Sequence, residues 1–87
     1  MTYLIESPHS KDECLQALDE VLARGPRFLA QFDWGCMAGQ HIGWATVEAD
    51  SESEARSMVP TVVRSKARIV PVSKFTPEQI KSFHQKM

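Results

Sequence analysis

The sequence predicts a small α+β domain in which strands and crossover helices alternate as β-α-β-β-α-β, followed by one more helix. Three observations predict it. Runs rich in strand formers alternate with stretches whose apolar residues recur at helical spacing. Capping-box signatures stand at Ser10–Glu13, Ser51–Glu54 and Thr76–Gln79, each just ahead of such a stretch. The 87 residues include 43 % hydrophobic and 24 % charged side chains with 4 Gly and 5 Pro, a balance that excludes disordered, collagen-like and low-complexity chains. A chain of this length makes one domain, residues 1–87, and buries only about 60–65 % of the surface its unfolded form exposes.

Tyr3–Ser7 reads as the first strand and is closed by Pro8. Behind the Ser10–Glu13 box, Cys14, Leu15, Leu18, Val21 and Leu22 form one apolar stripe, and Gly25-Pro26 stops the helix. Phe28–Met37 reads as a strand with large residues at alternate positions, Ala38-Gly39 as a two-residue turn, and His41–Ala49 as the returning strand. In that register Cys36 opposes His41, Trp34 opposes Gly43, Phe32 opposes Ala45 and Ala30 opposes Val47, so bulky residues meet small ones. The second helix carries Ala55, Met58, Val59 and Val62, and Pro60 should end or kink it near Met58–Val59. Ala67–Ser73 is an apolar strand whose Pro71 assigns it to a sheet edge or a bulge. Thr76-Pro77 opens a terminal helix with Ile80, Phe83, His84 and Met87 on one face.

That order is the split βαβ, or ferredoxin-like, arrangement, an antiparallel four-stranded sheet with its first and third strands central. Two helices cover one face of such a sheet. Met37, Ile42, Trp44, Asp33, Gln31, Thr46, Leu29 and Glu48 fall on the other, and the first and fourth strands are apolar on both sides, Tyr3 and Ile5 against Leu4 and Ile69 against Val70 and Val72. Several hundred Å² of apolar surface is more than a monomer usually leaves in water. Covering about 400 Å² per copy would be worth ~10 kcal/mol before association costs. The expected cover is a second copy packed sheet to sheet.

The order of elements, the two-sided apolar sheet and the extra terminal helix resemble the dimeric α/β-barrel superfamily. Phe32-Asp33-Trp34-Gly35-Cys36-Met37-Ala38-Gly39 and Lys74-Phe75-Thr76-Pro77-Glu78-Gln79-Ile80 look most like its small bacterial members. The resemblance implies a homodimer whose barrel, between two sheets, holds a small molecule; it matches no catalytic motif, so no site residue follows from it.

Net charge is −1 with a pI near 6.3, which argues against a nucleic-acid binder. Charge is nonetheless uneven: residues 1–58 carry 4 basic and 10 acidic side chains, residues 59–87 carry 6 basic and 1 acidic. The basic half reads as a rim that pairs with the acidic half of the same molecule or of a partner copy, or as a site for an anion. The N-terminus lacks the pattern of a signal peptide and no apolar run is long enough to span a bilayer, so the expectation is a cytoplasmic protein without membrane contact. There is no nucleotide-binding glycine motif and no RNA-binding aromatic signature.

Functionally, the leading expectation is a small organic molecule held in a cavity at the sheet face by Asp33, Trp34, His41 and Trp44. Asp33 beside the Trp44 indole in a sheltered cavity would have a raised pKa and could act as acid or base, or would simply face solvent. The topology also brings His9, Cys36 and His41 to one end of the sheet, with Cys14 in the first turn of the first helix there. Imidazole and thiolate suit a tetrahedral transition-metal site. Against it, the Cys36-to-His41 spacing is not that of a metal finger and no second pair supports it. The same residues allow a thiolate–imidazolium pair of Cys36 with His41. A plain protein-interaction module is the third alternative, and nothing in the sequence decides whether the protein is an enzyme.

Overall fold

The computed structural model describes residues 1–86. Its core is a four-stranded antiparallel sheet of order β2-β3-β1-β4, built from β1 (Thr2–Pro8), β2 (Phe32–Trp34), β3 (Ile42–Glu48) and β4 (Arg68–Pro71). The first and third strands are central, as expected, and this mixed α+β arrangement is compatible with a ferredoxin-like fold. β4 pairs only with β1, so Pro71, which lacks an N–H, sits on the sheet edge where no second ladder needs one.

Helices α1 (Cys14–Ala23), α2 (Pro26–Leu29) and α3 (Glu52–Arg56) lie on one side of the sheet. Ile5 and Val47 of the central strands meet Val21 of α1, Ala55 of α3 and Val59 and Val63 just beyond it in one apolar cluster. Side chains alternate strictly across β1: Tyr3, Ile5 and Ser7 are buried, while Leu4 is exposed on the open face. All three capping boxes form at least in part. Ser10 and Glu13 exchange bonds of 2.8 and 3.2 Å, and Thr76 and Gln79 do the same. Ser51 accepts from the Glu54 N–H, but Glu54 reaches back to Asp50 N–H instead of to Ser51.

Several expected elements are corrected. The strand expected over Phe28–Met37 is only Phe32–Trp34. Pro26 follows Gly25 at φ +111°, and its fixed φ starts a helical turn instead. Phe28 and Phe32, taken for alternate strand positions, touch with ring centroids 5.4 Å apart across that turn's end. Ala38-Gly39 is not a two-residue turn: Cys36–Ala38 form one tight helical turn that Gly39 closes at φ +82°. The register survives, because Phe32 still faces Ala45 and Trp34 still faces Gly43, whereas Ala30 has left the ladder. Ala17 and Val21 are the buried positions of α1, while Leu15 and Leu22 are 67 % and 55 % exposed. After Pro60 the period restarts, so Val63 is buried and Val62 is not. The fourth strand is shorter than Ala67–Ser73. Met87, expected on the terminal stripe, lies outside the described residues.

The irregular stretch from Ser57 to Ala67 has few ladder partners for its carbonyls, and two guanidinium groups supply them. Arg56 Nη1 donates to the carbonyls of Arg64 and Ala67 at 3.1 and 3.0 Å, and Arg64 donates to those of Ser57 and Val59. Glu20 of α1 fastens the same stretch from the other side, accepting the Thr61 N–H on both carboxylate oxygens at 2.9 and 2.8 Å. Burial pushes the Glu20 carboxyl up, but the Thr61 bonds and the charges of Arg24 and Arg64 outweigh it and hold the group below the usual carboxylate range. A folded-state pKa below the unfolded value, about 4.3, stabilises above that value and ceases to do so as the pH falls beneath it. Urea unfolding should therefore show wild type more stable than Glu20→Gln at pH 6, with the difference vanishing towards pH 2; a difference independent of pH would contradict this.

The last helix, α4 (Pro77–Lys86), makes no substantial contact with another element among the described residues. Its stripe is exposed: Phe75 59 %, Ile80 46 % and Phe83 43 %, with the two phenyl rings packed edge-on at 5.2 Å. Among the described residues, no helix is long and apolar enough to cross a membrane.

Candidate metal centre

Three segments converge at the end of the sheet where β1 exits. β1 delivers His9 directly after Pro8. The chain then turns at Ser10–Glu13 and starts α1 with Cys14 in its first turn. The β2–β3 connection brings Cys36, in its tight helical turn, and His41, just before β3. Backbone bonds lock these segments together: His9 N–H donates to His41 O at 3.0 Å, Gly35 N–H to Ile42 O at 3.0 Å, and Gln40 N–H to Gly35 O at 2.9 Å. Gly35 has no room for a side chain, since a Cβ there would stand 2.7 Å from the Gln40 carbonyl oxygen and 2.9 Å from the Trp44 ring. Lys66 pairs with Glu13 and, with the Ser10 box, holds that carboxyl down at about 2, so the turn ahead of Cys14 is anchored at both ends.

One donor atom from each of His9, Cys14, Cys36 and His41 lies within 4.8 Å of every other. His9 is buried and the other three are half-buried. The Cys14 thiol donates to Cys36 Sγ at 3.1 Å, and His9 Nε2 lies 3.2 Å from the same sulfur. His9 Nδ1 is 3.3 Å from the Ser7 carbonyl, which can only accept, so Nδ1 carries the proton and Nε2 presents its lone pair to the cluster. An imidazole tied to a backbone carbonyl through one nitrogen and free at the other is the usual state of a metal-ligating histidine. His41 Nδ1 is buried with no hydrogen-bond partner. Such an orphan ordinarily costs about 1–3 kcal/mol, and ligation through that atom would satisfy it.

The donor set fits a tetrahedral ion. Zinc–sulfur bonds of about 2.3 Å and zinc–nitrogen bonds of about 2.0–2.1 Å put neighbouring donors roughly 3.3–3.8 Å apart. The observed separations, from 3.1 Å between the sulfurs to at most 4.8 Å, bracket that range, so side-chain adjustments of about an ångström close the site. Burial, then the hydrogen bond from Cys14, pushes the Cys36 thiol up to about 11, so without an ion the Cys36 thiol keeps its proton.

The expected metal residues His9, Cys36 and His41 are thus together, and Cys14 completes a fourth position. The sequence does carry a second pair. His9-x4-Cys14 and Cys36-x4-His41 have the same spacing in reverse order, one pair from each limb of the site. The expected thiolate–imidazolium pair is arranged differently, since the contacts to Cys36 Sγ come from His9 and Cys14.

The four expected ligand-binding residues are divided by the sheet. Trp34 lies on the helix side, over Gly43, stacked on Phe32 with centroids 5.7 Å apart and 6.0 Å from the His9 ring. Asp33 and Trp44 face each other on the open side, and His41 belongs to the donor cluster. An open cleft of about 490 Å³ does lie on the sheet face, but Thr2, Thr46, Val72, Ser73 and Lys74 line it. Comparison with known proteins gives no match: no family model, no curated protein and no solved structure is similar to this chain.

Proposed function

We propose that this chain is a transition-metal-binding module in which His9, Cys14, Cys36 and His41 hold one ion of the zinc class. The observation that carries the reading is the convergence of two thiols and two imidazoles, all mutually within 4.8 Å, from three separate segments. Mixed sulfur and nitrogen donors select Zn2+ or Co2+ over the hard cations Mg2+ and Ca2+. Four protein donors leave no open coordination position, so the ion closes the end of the sheet and supplies no site for substrate. Uptake replaces the thiol protons, which makes affinity rise with pH. Two free thiols in a half-buried cluster suit a reducing, cytoplasmic setting.

Titration of reduced protein with Zn2+ should reach an endpoint at one equivalent, release protons, and change the emission of Trp34, whose ring adjoins His9. Co2+ should give the visible absorption of a tetrahedral thiolate complex. Elemental analysis finding less than a tenth of an equivalent of metal after loading and desalting would overturn the reading.

The remaining expectations attach to this one. A ferredoxin-like, homodimeric assembly is supported by the strand order and by apolar groups on the open face; the donor set is complete in one chain, so a second copy adds cover rather than ligands. A small-molecule site keeps the open cleft as its support, with a different lining from that expected. An activated thiol is disfavoured by the raised pKa of Cys36.

A further inference from the structure

The open side of the sheet and the projecting α4 together leave this chain with too much surface. Its accessible area is 6138 Å². A folded monomer of this mass exposes about 5,200 Å². The excess, about 1,000 Å², matches the roughly 800 Å² per partner that a stable protein–protein interface buries. The radius of gyration says the same: 15.6 Å, against about 12 Å for a compact chain of this length, with a longest extent of 49 Å.

We infer that a second copy of this chain takes up that surface, with α4 of each copy laid across the open sheet face of the other. This rests on the homodimeric part of the reading above and is independent of the metal. Dimensions agree. Ten helical residues measure about 15 Å, and four strands at about 4.8 Å spacing are about 14–15 Å across. Apolar groups meet apolar groups: Phe75, Ile80 and Phe83 remain about half exposed although the two phenyl rings pack on each other, and Leu4, Trp44 and Val70 stand uncovered or half-covered on the face. Charge is complementary as well. The arm brings Lys74 and Lys81 with a single acid, Glu78, while the face and its rim present Glu6, Asp33 and Glu48 beside Arg68. Glu6 and Glu48 already share an in-chain partner, Arg68 and the N-terminal amine respectively, at solvent-exposed distances of 3.3 and 3.4 Å that an incoming lysine can join. The cleft at the base of the arm, lined by Thr2, Thr46, Val72, Ser73 and Lys74, opens on the same face and offers the partner's Phe83 a recess beside Val72. Exchange of the arms is isologous, so it closes at two copies and buries both stripes at once.

Sedimentation equilibrium of the full chain between 1 and 100 µM should give twice 9.8 kDa. The double variant Ile80→Asp, Phe83→Asp alters only exposed positions, so its circular dichroism should match wild type while association weakens at least about a hundredfold. In a mixture of differently labelled copies, intermolecular nuclear Overhauser contacts should link the α4 phenyl rings with Trp44 and Leu4. A full chain that is monomeric at 100 µM would overturn the homodimer and the arm exchange together. A dimer that persists unchanged in the double variant would overturn the arm exchange alone and leave the homodimer standing on another surface.

Discussion

In Cys36→Ser protein, Zn2+ should no longer raise the melting temperature, whereas in wild type a metal excess of about a thousand times Kd should raise it by roughly 15–30 °C. The size follows from linkage. An ion that binds only the folded chain at that excess stabilises by about 4 kcal/mol, and in a domain this small each kcal/mol shifts the midpoint by about 4–8 °C. Cys36 is the residue to change because it contacts both its neighbours in the cluster, Cys14 at 3.1 Å and His9 at 3.2 Å. Serine keeps its volume and a hydrogen-bonding group but is a poor ligand for a borderline-soft cation. The metal-free midpoints of variant and wild type should lie within a few degrees, which separates lost ligation from lost packing. Scanning calorimetry with and without Zn2+ checks both statements. An undiminished metal response in Cys36→Ser would remove that sulfur from the donor set.

The second large effect is in the strand that delivers His9. Ile5 is wholly buried in the centre of β1, opposite Ala45 on one side and Ile69 on the other. Ile5→Ala should cost about 3–4 kcal/mol, the lost transfer energy plus the cavity that neighbours on two strands cannot collapse into, and Ile5→Val only about 1 kcal/mol. A small domain has about 5 kcal/mol to lose. The metal-free Ile5→Ala protein should therefore melt roughly 15–25 °C lower. Saturating Zn2+ should restore most of that, because an ion that binds only the folded chain adds about as much stability as the cavity removes. Chemical denaturation of the two variants, loaded and unloaded, tests it. A metal response present in wild type and missing in Ile5→Ala would mean that the strand, and not the cluster, decides whether the site forms.

Much of this fold was legible because local signals and tertiary need agree. Ser10–Glu13 and Thr76–Gln79 form the reciprocal bonds their spacing implies, and Pro71 falls at a sheet edge. Phe32, Asp33 and Trp34 hold the predicted register although the turn beyond them was misread, because the connection from Trp34 to Gly43 keeps the same length either way. The errors arise where two periods fit the same residues. Phe28 and Phe32 satisfy both a period of two and a step of four, and Pro26 decided in favour of the helix. Val62 and Val63 are a one-residue choice that depends on where the chain resumes turning after Pro60. At the site, topology alone placed His9, Cys36 and His41 at one end of the sheet. Topology brought Cys14, in the first turn of the first helix, to the same end; the mirrored spacing of the two His/Cys pairs, which makes it the fourth donor of a matched set, is the signal that the sequence reading passed over. The projection of α4 had no local signal, since an amphipathic helix reads alike whether its stripe faces its own chain or another.

All four donors of the proposed site lie between residues 9 and 41, so along the chain the whole donor set precedes the fourth strand, Arg68–Pro71. The outer edge of β1 has to wait for Arg68–Pro71. On the proposed reading, an ion joining His9 to Cys36 and His41 would hold β1 against β3 while that edge is still bare, and the order of emergence would make the cluster a temporary brace for a sheet that lacks its fourth strand.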